Sequence, residues 1–289
     1  MRALFARLSL EKAQVYGLIL ASADISHQIQ RRGSKWAVTV SAHHRAAAIK
    51  AVALYLSENP SPQLSKRPPV APVVKTYSAV YVVPFLALIH WAVSPGYERQ
   101  VFVEIFGADA AKMVSGDLYR SITALLLHKD WAHVINNMAA MALFGTVVAS
   151  ICGWGMGWFM ILLTGAAGNM ATAMWYRHGH VAIGASTAVF GALGICVALN
   201  LWRHARIPQS SWRMWLPLAG GLALLGFLGG SPHSDLMAHL SGFGSGLIIG
   251  AGYGWKYKEP PGFTVQLAAA IAGVGMIVAC WSFGVYGAS

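Results

Sequence analysis

The spacing of apolar residues divides the chain into two unlike parts. Up to residue 68, apolar positions recur at helix or strand spacing among polar and charged residues, whereas from Tyr77 onward they form long runs. A helix that crosses the hydrocarbon core of a bilayer needs about 20 predominantly apolar residues. The pattern therefore predicts a small folded domain followed by a set of transmembrane helices.

The first part, residues 1–68, is predicted to be an α-β-β-α domain. Helical spacing, two alternating segments and a second helical segment follow one another over residues 11–22, 25–29, 35–40 and 41–56. Ser41 is a candidate N-cap of the second helix because its hydroxyl can accept a backbone N–H of the first turn. A proline-rich linker over residues 69–76 follows this domain.

A cleaved signal peptide is the alternative interpretation of residues 13–23. Arg2 and Arg7 precede this apolar stretch, and it ends in small residues that resemble a cleavage site. However, Glu11 and Lys12 directly adjoin the apolar run, and the residues after it continue a compact domain. We therefore favour the folded domain.

The second part predicts seven transmembrane segments. They are placed at residues 77–94, 133–152, 156–175, 183–201, 214–230, 236–255 and 265–286. Residues 96–132 mix apolar and charged positions, as is typical of a loop at the membrane interface. The predicted fold class is thus an all-α polytopic membrane protein: a six-span core (77–257), a seventh helix (258–289) and a small α+β domain in front.

Basic residues are distributed unequally between the two sides of this predicted bundle. Of the 21 Lys and Arg residues, 16 fall on the side of the N-terminus. Because Lys and Arg accumulate in cytoplasmic loops, the N-terminus is predicted to lie in the cytoplasm. The short loops and the small N-terminal domain suggest the inner membrane of a Gram-negative bacterium.

Composition narrows the candidate functions. Only 11% of the residues are charged, about half the share of an average soluble domain. The net charge of +11 clusters before the first span and at span ends. This pattern favours anionic lipid headgroups over nucleic acid as the partner. The three cysteines lie in apolar runs and match neither a disulfide framework nor a zinc site.

Polar residues within the spans concentrate at one membrane depth. The second, fourth and sixth spans all run from outside to inside, so their first turns lie just below the outer surface. These turns contain residues 133–137, 184–187 and 235–242, and each segment holds residues able to donate or accept protons. Since polar groups are costly in a bilayer, such a cluster indicates a functional site.

Three features of this cluster are typical of acyl-transfer chemistry. A serine hydroxyl becomes nucleophilic when a neighbouring base removes its proton, and His239 could serve Ser186 in this way. His133 and Asn137 are four residues apart and project from one helix face, where both could donate to an oxyanion. Small residues on spans four and six, including Gly242 and Gly246, favour close helix approach.

These residues also match a known pattern, because the chain resembles the rhomboid family of intramembrane serine proteases. Four motifs occur in the family's order and cover about residues 77–257. They are Tyr119-Arg120 with Asp117 upstream, His133 with Asn137, Gly184-Ala-Ser186-Thr187, and Ala238-His239 followed by Gly242 and Gly246. The resemblance implies a rhomboid-like six-helix core.

The resemblance also implies roles for single residues. Ser186 would be the nucleophile and His239 the general base of a catalytic dyad. His133, Asn137 and the backbone N–H of Ser186 would form the oxyanion hole. Structural support would come from Arg120, Phe190, Gly184, Gly242 and Gly246, with the Phe190 ring against His239. Asp235, one turn before His239, is predicted to cap its helix rather than complete a triad.

The implied substrates are single-span or multi-span membrane proteins whose helices unwind near the outer face and carry small residues at the cut. No cofactor and no metal is implied, and the His-Glu-x-x-His motif of zinc proteases does not occur in the sequence. We assign no role to His90, His128, His178, His180 and His233.

Two other functions are weighed against this one. Thr187 stands where the family usually has glycine, so a catalytically inactive protein that binds membrane clients is the alternative. Tyr119, where the family usually has tryptophan, is a milder departure. A transporter should show polar residues along the whole bilayer depth, whereas here they stay at one depth.

Overall fold

A computed structural model describes residues 2–59, 75–93, 98–204, 215–229 and 235–287. The chain separates into two compact units, Met1–Pro69 and Val70–Ser289. Most of the predicted linker (69–76) lies outside the described residues, as do the ends of the predicted fifth span. His233 also lies outside them.

The first unit is a three-stranded antiparallel sheet with two helices. In chain order its elements are β1 (Arg2–Leu8), α1 (Leu10–Ser22), β2 (His27–Arg32), β3 (Lys35–Val40), a 3-10 turn (Ala42–His44) and α2 (Arg45–Glu58). The strand order is β1-β3-β2. Leu20, Val38, Val40 and Val52 form its buried core with residues from both helices.

Two details of this unit differ from the sequence prediction. Strand β1 was not predicted, because two register shifts interrupt its pairing with β3 and its apolar residues do not alternate strictly. Ser41 does not cap α2, since a 3-10 turn separates it from that helix and its hydroxyl instead lies 3.3 Å from His44 Nδ1. Ser9 caps α1 by accepting the N–H of Lys12.

The second unit is predominantly helical. Its long helices are α3 (Ala79–Val93), α7 (Trp131–Cys152), α8 (Trp154–Tyr176), α9 (Ser186–His204), α10 (Leu216–Gly229), α11 (Leu236–Lys256) and α12 (Phe263–Gly287). Short elements lie between them: α4 (Glu98–Phe106), β4 (Ala108–Asp109), α5 (Ala110–Val114), α6 (Arg120–Thr123), a 3-10 turn (Ala124–Leu126) and β5 (Val181–Ala182).

Two of the described helices, α7 and α12, are long and apolar enough to cross a membrane by length and composition. Apolar helices of shorter length cover Ala79–Val93 and Ser186–Trp202. Large apolar side chains such as Leu143, Ile248 and Phe283 are exposed on the helix surfaces. Such a surface suits hydrocarbon better than water.

The segment between α3 and α7 is more buried than an interfacial loop would be. Ile122, Leu125 and Leu126 are buried, as are Phe106 and Leu127. The apolar residues that suggested a membrane-facing loop therefore pack largely inside the protein. Sequence alone could not separate these two environments, because both select for apolar residues mixed with charges.

Helices α9 and α11 pack backbone to backbone through glycine. A Cβ atom built on Gly246 would overlap the Gly191 carbonyl group of α9, and one on Gly250 would lie 2.9 Å from Ile195 Cα. Side chains larger than hydrogen would force the two helices apart at these points. The two helices that carry Ser186 and His239 are thus held in direct contact.

Candidate active site

The segment that leads into Ser186 is anchored at several successive residues. The carbonyl group of His180 accepts a hydrogen bond from the Ala110 N–H at 2.9 Å. β5 then pairs with β4, and the N–H of Gly184 donates to the carbonyl group of Ala124 at 2.9 Å. α9 begins at Ser186, so the serine occupies the first turn of a helix whose approach is rigidly held.

Gly184 separates the serine from the first turn of α7. Its φ of +129° lies in a region that favours glycine. A Cβ atom at this position would lie 2.9 Å from His133 Nε2 and 3.7 Å from Ser186 Oγ. Both of these polar atoms therefore face the same point, and the absence of a side chain at residue 184 leaves the space between them open.

The proton of His133 is placed on the side that faces this space. The backbone N–H of Lys129 points to His133 Nδ1 at 3.4 Å, which makes Nδ1 the acceptor nitrogen of the neutral ring. The hydrogen of the ring then resides on Nε2, the nitrogen closest to Gly184. Asp130 holds the start of α7 by accepting the N–H of His133 at 2.8 Å, and this bond lowers the pKa of Asp130.

Asn137 lies one turn further along α7. Its side chain is buried, and its Nδ2 has no hydrogen-bond acceptor among the residues that the structure describes. Buried amide donors are normally paired, so an unpaired one needs an explanation. A substrate oxygen that arrives during a reaction would be such a partner.

His239 is held in the first turn of α11. Asp235 caps this helix by accepting the N–H of Ala238 at 3.0 Å. The imidazole ring of His239 is buried and packs on Phe190, with 4.4 Å between ring centroids. Because Phe190 lies one turn after Ser186 on α9, this contact brings His239 to the serine end of that helix.

Arg120 ties together the segment between α3 and α7 beside the candidate site. Its side chain is 4% exposed; Nε donates to Asp117 Oδ2 at 2.9 Å, and Nη1 donates to the carbonyl groups of Glu104 and Gly107. The neighbouring Tyr119 hydroxyl donates to the Ile105 carbonyl at 3.1 Å. Burial raises the pKa of Tyr119, so its hydroxyl stays a donor at neutral pH.

Two histidines without a predicted role lie beside the first turn of α7. His128 Nε2 accepts the N–H of Ala185, the residue before the serine, at 3.3 Å. Burial, together with the nearby His133, lowers the pKa of His128 to about 3, so its ring remains a neutral acceptor. The ring of His90 packs edge-on against Trp131, 4.7 Å between centroids. His128 precedes α7, so helical spacing from His133 gave no signal for it.

Thr187 is buried between three helices. Its Cγ2 atom is the nearest neighbour of a Cβ atom built on Gly168 of α8, at 2.6 Å, and lies 3.1 Å from one built on Gly242 of α11. The methyl group of Thr187 therefore fills space left by two glycines, one of them from α8. The crowding that a β-branched residue would cause at this position is relieved by Gly168.

The comparison with protein families identifies the domain that holds these residues. Residues 115–256 match the model of the Rhomboid domain. YdcA of Bacillus subtilis, provisionally named a rhomboid protease, is 28% identical over 137 residues, covering 47% of this chain and 68% of that protein.

Relatives from eukaryotes are matched over a smaller share of their length. RHOMBOID-like protein 1 of Arabidopsis thaliana is 29% identical over 150 residues, or 51% of this chain and 38% of that protein. Human inactive rhomboid protein 1 is 28% identical over 136 residues, which are 47% of this chain and 16% of that protein. The relatives thus carry both protease and inactive names. The chain thus contains a Rhomboid domain over residues 115–256.

Proposed function

We propose that this protein is an intramembrane serine endopeptidase that cleaves transmembrane segments of other membrane proteins near the outer face. The main support is the placement of Ser186 Oγ and His133 Nε2 around the open space at Gly184. The packing of His239 on Phe190, one turn after the serine, supports the same assignment.

In the proposed reaction, His239 removes the proton of Ser186, and Oγ attacks the carbonyl carbon of the scissile peptide bond. Donors at His133 Nε2, Asn137 Nδ2 and the Ser186 N–H stabilise the oxyanion. The N-terminal end of α9 adds positive electrostatic potential at the same place. His239 then protonates the leaving amine, and water hydrolyses the acyl-enzyme.

The proposed architecture has six spans in the core (77–257) and a seventh span in residues 258–289. The N-terminal domain would lie in the cytoplasm and the active site near the outer face of a bacterial inner membrane. This orientation rests on the distribution of Lys and Arg. Substrates would be single-span or multi-span proteins, and lipid would surround the helices.

An inactive protein that binds membrane clients is the second candidate, because some relatives are named inactive rhomboid proteins. Thr187 was the feature of this chain that favoured it. The fit of Thr187 against Gly168 weakens that argument, since the methyl group occupies space that α8 leaves free.

The test is cleavage of a single-span model substrate by the purified full chain in proteoliposomes. We expect wild type and the His178→Ala control to cut, since His178 is exposed. Ser186→Ala and His239→Ala should each lose at least about 10³-fold in kcat, as in other serine hydrolases. A serine-reactive fluorophosphonate probe should label wild type and not Ser186→Ala.

Two outcomes would contradict the proposal. Equal cleavage by wild type and both variants would mean that other residues, or a contaminant, carry the activity. The second outcome is that wild type neither cleaves the substrate nor reacts with the probe, but still binds the uncut substrate protein. This result would favour the inactive alternative.

A further inference from the structure

A side-chain hydrogen bond joins the serine segment to the histidine helix. His180 Nε2 donates to Asp235 Oδ2 at 2.7 Å, and both side chains are 22% exposed. Sequence separation between the two residues is 55, so only the tertiary structure brings them together.

Both ends of this bond lie on segments that lead into the helices of the proposed catalytic residues. His180 begins the anchored segment that enters α9 at Ser186, and its own backbone is bonded to Ala110. Asp235 precedes His239 by one helical turn, and its second oxygen caps α11. A change in the His180–Asp235 distance would therefore shift the start of α11 relative to the start of α9.

The imidazole ring of His180 is also held by a stacking contact. It stacks on Tyr176 at the end of α8, with 4.1 Å between centroids and 17° between ring planes. The ring is thus held by an aromatic face while its Nε2 points to Asp235. This double restraint is more than a solvent-exposed ion pair normally shows.

We propose that His180 is a positioning residue of the protease: through Asp235 it sets the separation of Ser186 and His239. The inference rests on the proposed function. Its expected contribution is to reaction geometry rather than to stability, because a partly exposed pair adds little to the free energy of unfolding. A displacement of about 1 Å between reacting groups can lower the rate by about 10²-fold.

The experiment compares kcat and KM for cleavage by the full chain in proteoliposomes. His180→Ala should lower kcat by roughly 10- to 100-fold and change KM less than about 2-fold. His180→Gln, whose amide N–H can reach Asp235, should restore most of the rate. His178→Ala is the matched control, because it removes an exposed histidine two residues away.

A second pair of variants separates capping from positioning. Asp235→Ser keeps an N-cap hydroxyl but is too short to reach His180, so it should lose about as much kcat as His180→Ala. The double variant His180→Ala/Asp235→Ser should lose no more kcat than either single variant, since both substitutions remove the same hydrogen bond. Thermal unfolding of all variants should stay close to wild type.

The outcomes distinguish this inference from the proposed function. If wild type cleaves and His180→Ala matches His178→Ala, the positioning role is wrong while the protease assignment stands. If His180→Ala unfolds, the His180→Gln variant becomes the test. A His180→Gln protein that is as stable as wild type but has lost its cleavage activity would also overturn the inference. If wild type neither cleaves nor reacts with the fluorophosphonate probe, the proposed function fails and this inference with it.

Discussion

At the scale of single residues, the position after Ser186 illustrates how a departure from a family pattern is accommodated. Thr187 is 2% exposed, and its methyl group faces Gly168 and Gly242. Interiors are close-packed, so an added methyl group requires a matching loss of volume nearby. Gly168 provides that loss. The identity of one residue is thus interpretable only together with its neighbours on other helices.

His128 carries a residue-scale prediction about pH. Folding lowers its pKa from 6.5 to about 3, because the ring is buried as a neutral acceptor for the Ala185 N–H. Below pH 6.5 the unfolded chain binds a proton that the folded chain excludes, so stability should fall as the pH decreases from 6.5 toward 3. His128→Gln, which can still accept from Ala185, should remove this dependence.

Thermal unfolding in detergent at pH 7 and pH 5 measures the effect. Wild type should lose up to about 2 kcal/mol more stability than His128→Gln over this interval. His178→Gln serves as the control because that histidine is exposed. Identical pH dependence of wild type and His128→Gln would show that His128 does not titrate as its burial requires.

At the scale of elements, the contact of α9 with α11 determines whether serine and histidine can meet. Gly246 approaches the backbone of Gly191 and Gly194, and Gly242 approaches that of Thr187. The small-residue spacing on these helices predicted a close approach. The four-residue spacing of Gly242 and Gly246 also indicated which face of α11 makes the contact, whereas a Cβ atom built on Gly244 or Gly252 of the same helix would meet no atom within 4 Å.

Gly246→Ala and Gly244→Ala test this contact as a matched pair. The Cβ atom of the first variant would collide with the Gly191 carbonyl group, whereas that of the second would meet open space. We expect Gly246→Ala to destabilise the protein by about 1–3 kcal/mol and to reduce cleavage at least about 10-fold. Gly244→Ala should leave both quantities nearly unchanged, and equal effects would contradict the assignment of helix faces.

At the scale of the whole molecule, α12 joins the two ends of the helical unit. Gln266 is 4% exposed; its Oε1 accepts the N–H groups of Gly155 and Met156 at 2.9 Å, and its Nε2 donates to the Cys152 carbonyl at 3.0 Å. Near the other end of α12, Trp281 stacks on Phe106 with 4.2 Å between centroids. Helix α12 therefore braces both the α7–α8 turn and the segment between α3 and α7.

Gln266→Leu should show how much this bracing contributes. The variant removes the acceptor of the Gly155 and Met156 N–H groups at the start of α8 and one of the donors to the Cys152 carbonyl, which we expect to cost about 1–3 kcal/mol of stability. Thr264→Val is a suitable control, since it makes a polar-to-apolar change at an exposed position of the same helix. Thermal unfolding in detergent measures both, and equal melting temperatures would contradict a bracing role for Gln266.

The sequence by itself determined the resemblance to rhomboid proteins and the predominantly helical second part, and it predicted the grouping of the polar residues. Long apolar runs, the His133–Asn137 spacing and the Gly-x-Ser motif are local patterns, and local patterns can be recognised in the sequence without a structure. The predicted boundaries of the long helices agree with those in the structure to within a few residues. Strand β1 was not predicted from the sequence, because its pairing with β3 is interrupted by register shifts.

Only the tertiary structure decided which distant residues share the site. The bond from His128 to Ala185, the bond from His180 to Asp235, and the fit of Thr187 against Gly168 all join separate elements. The three hydrogen bonds of Gln266 to the α7–α8 turn likewise depend on where α12 docks. The physical reason is the same in each case: helical periodicity shows which residues share a face, but the packing of faces determines which residues touch.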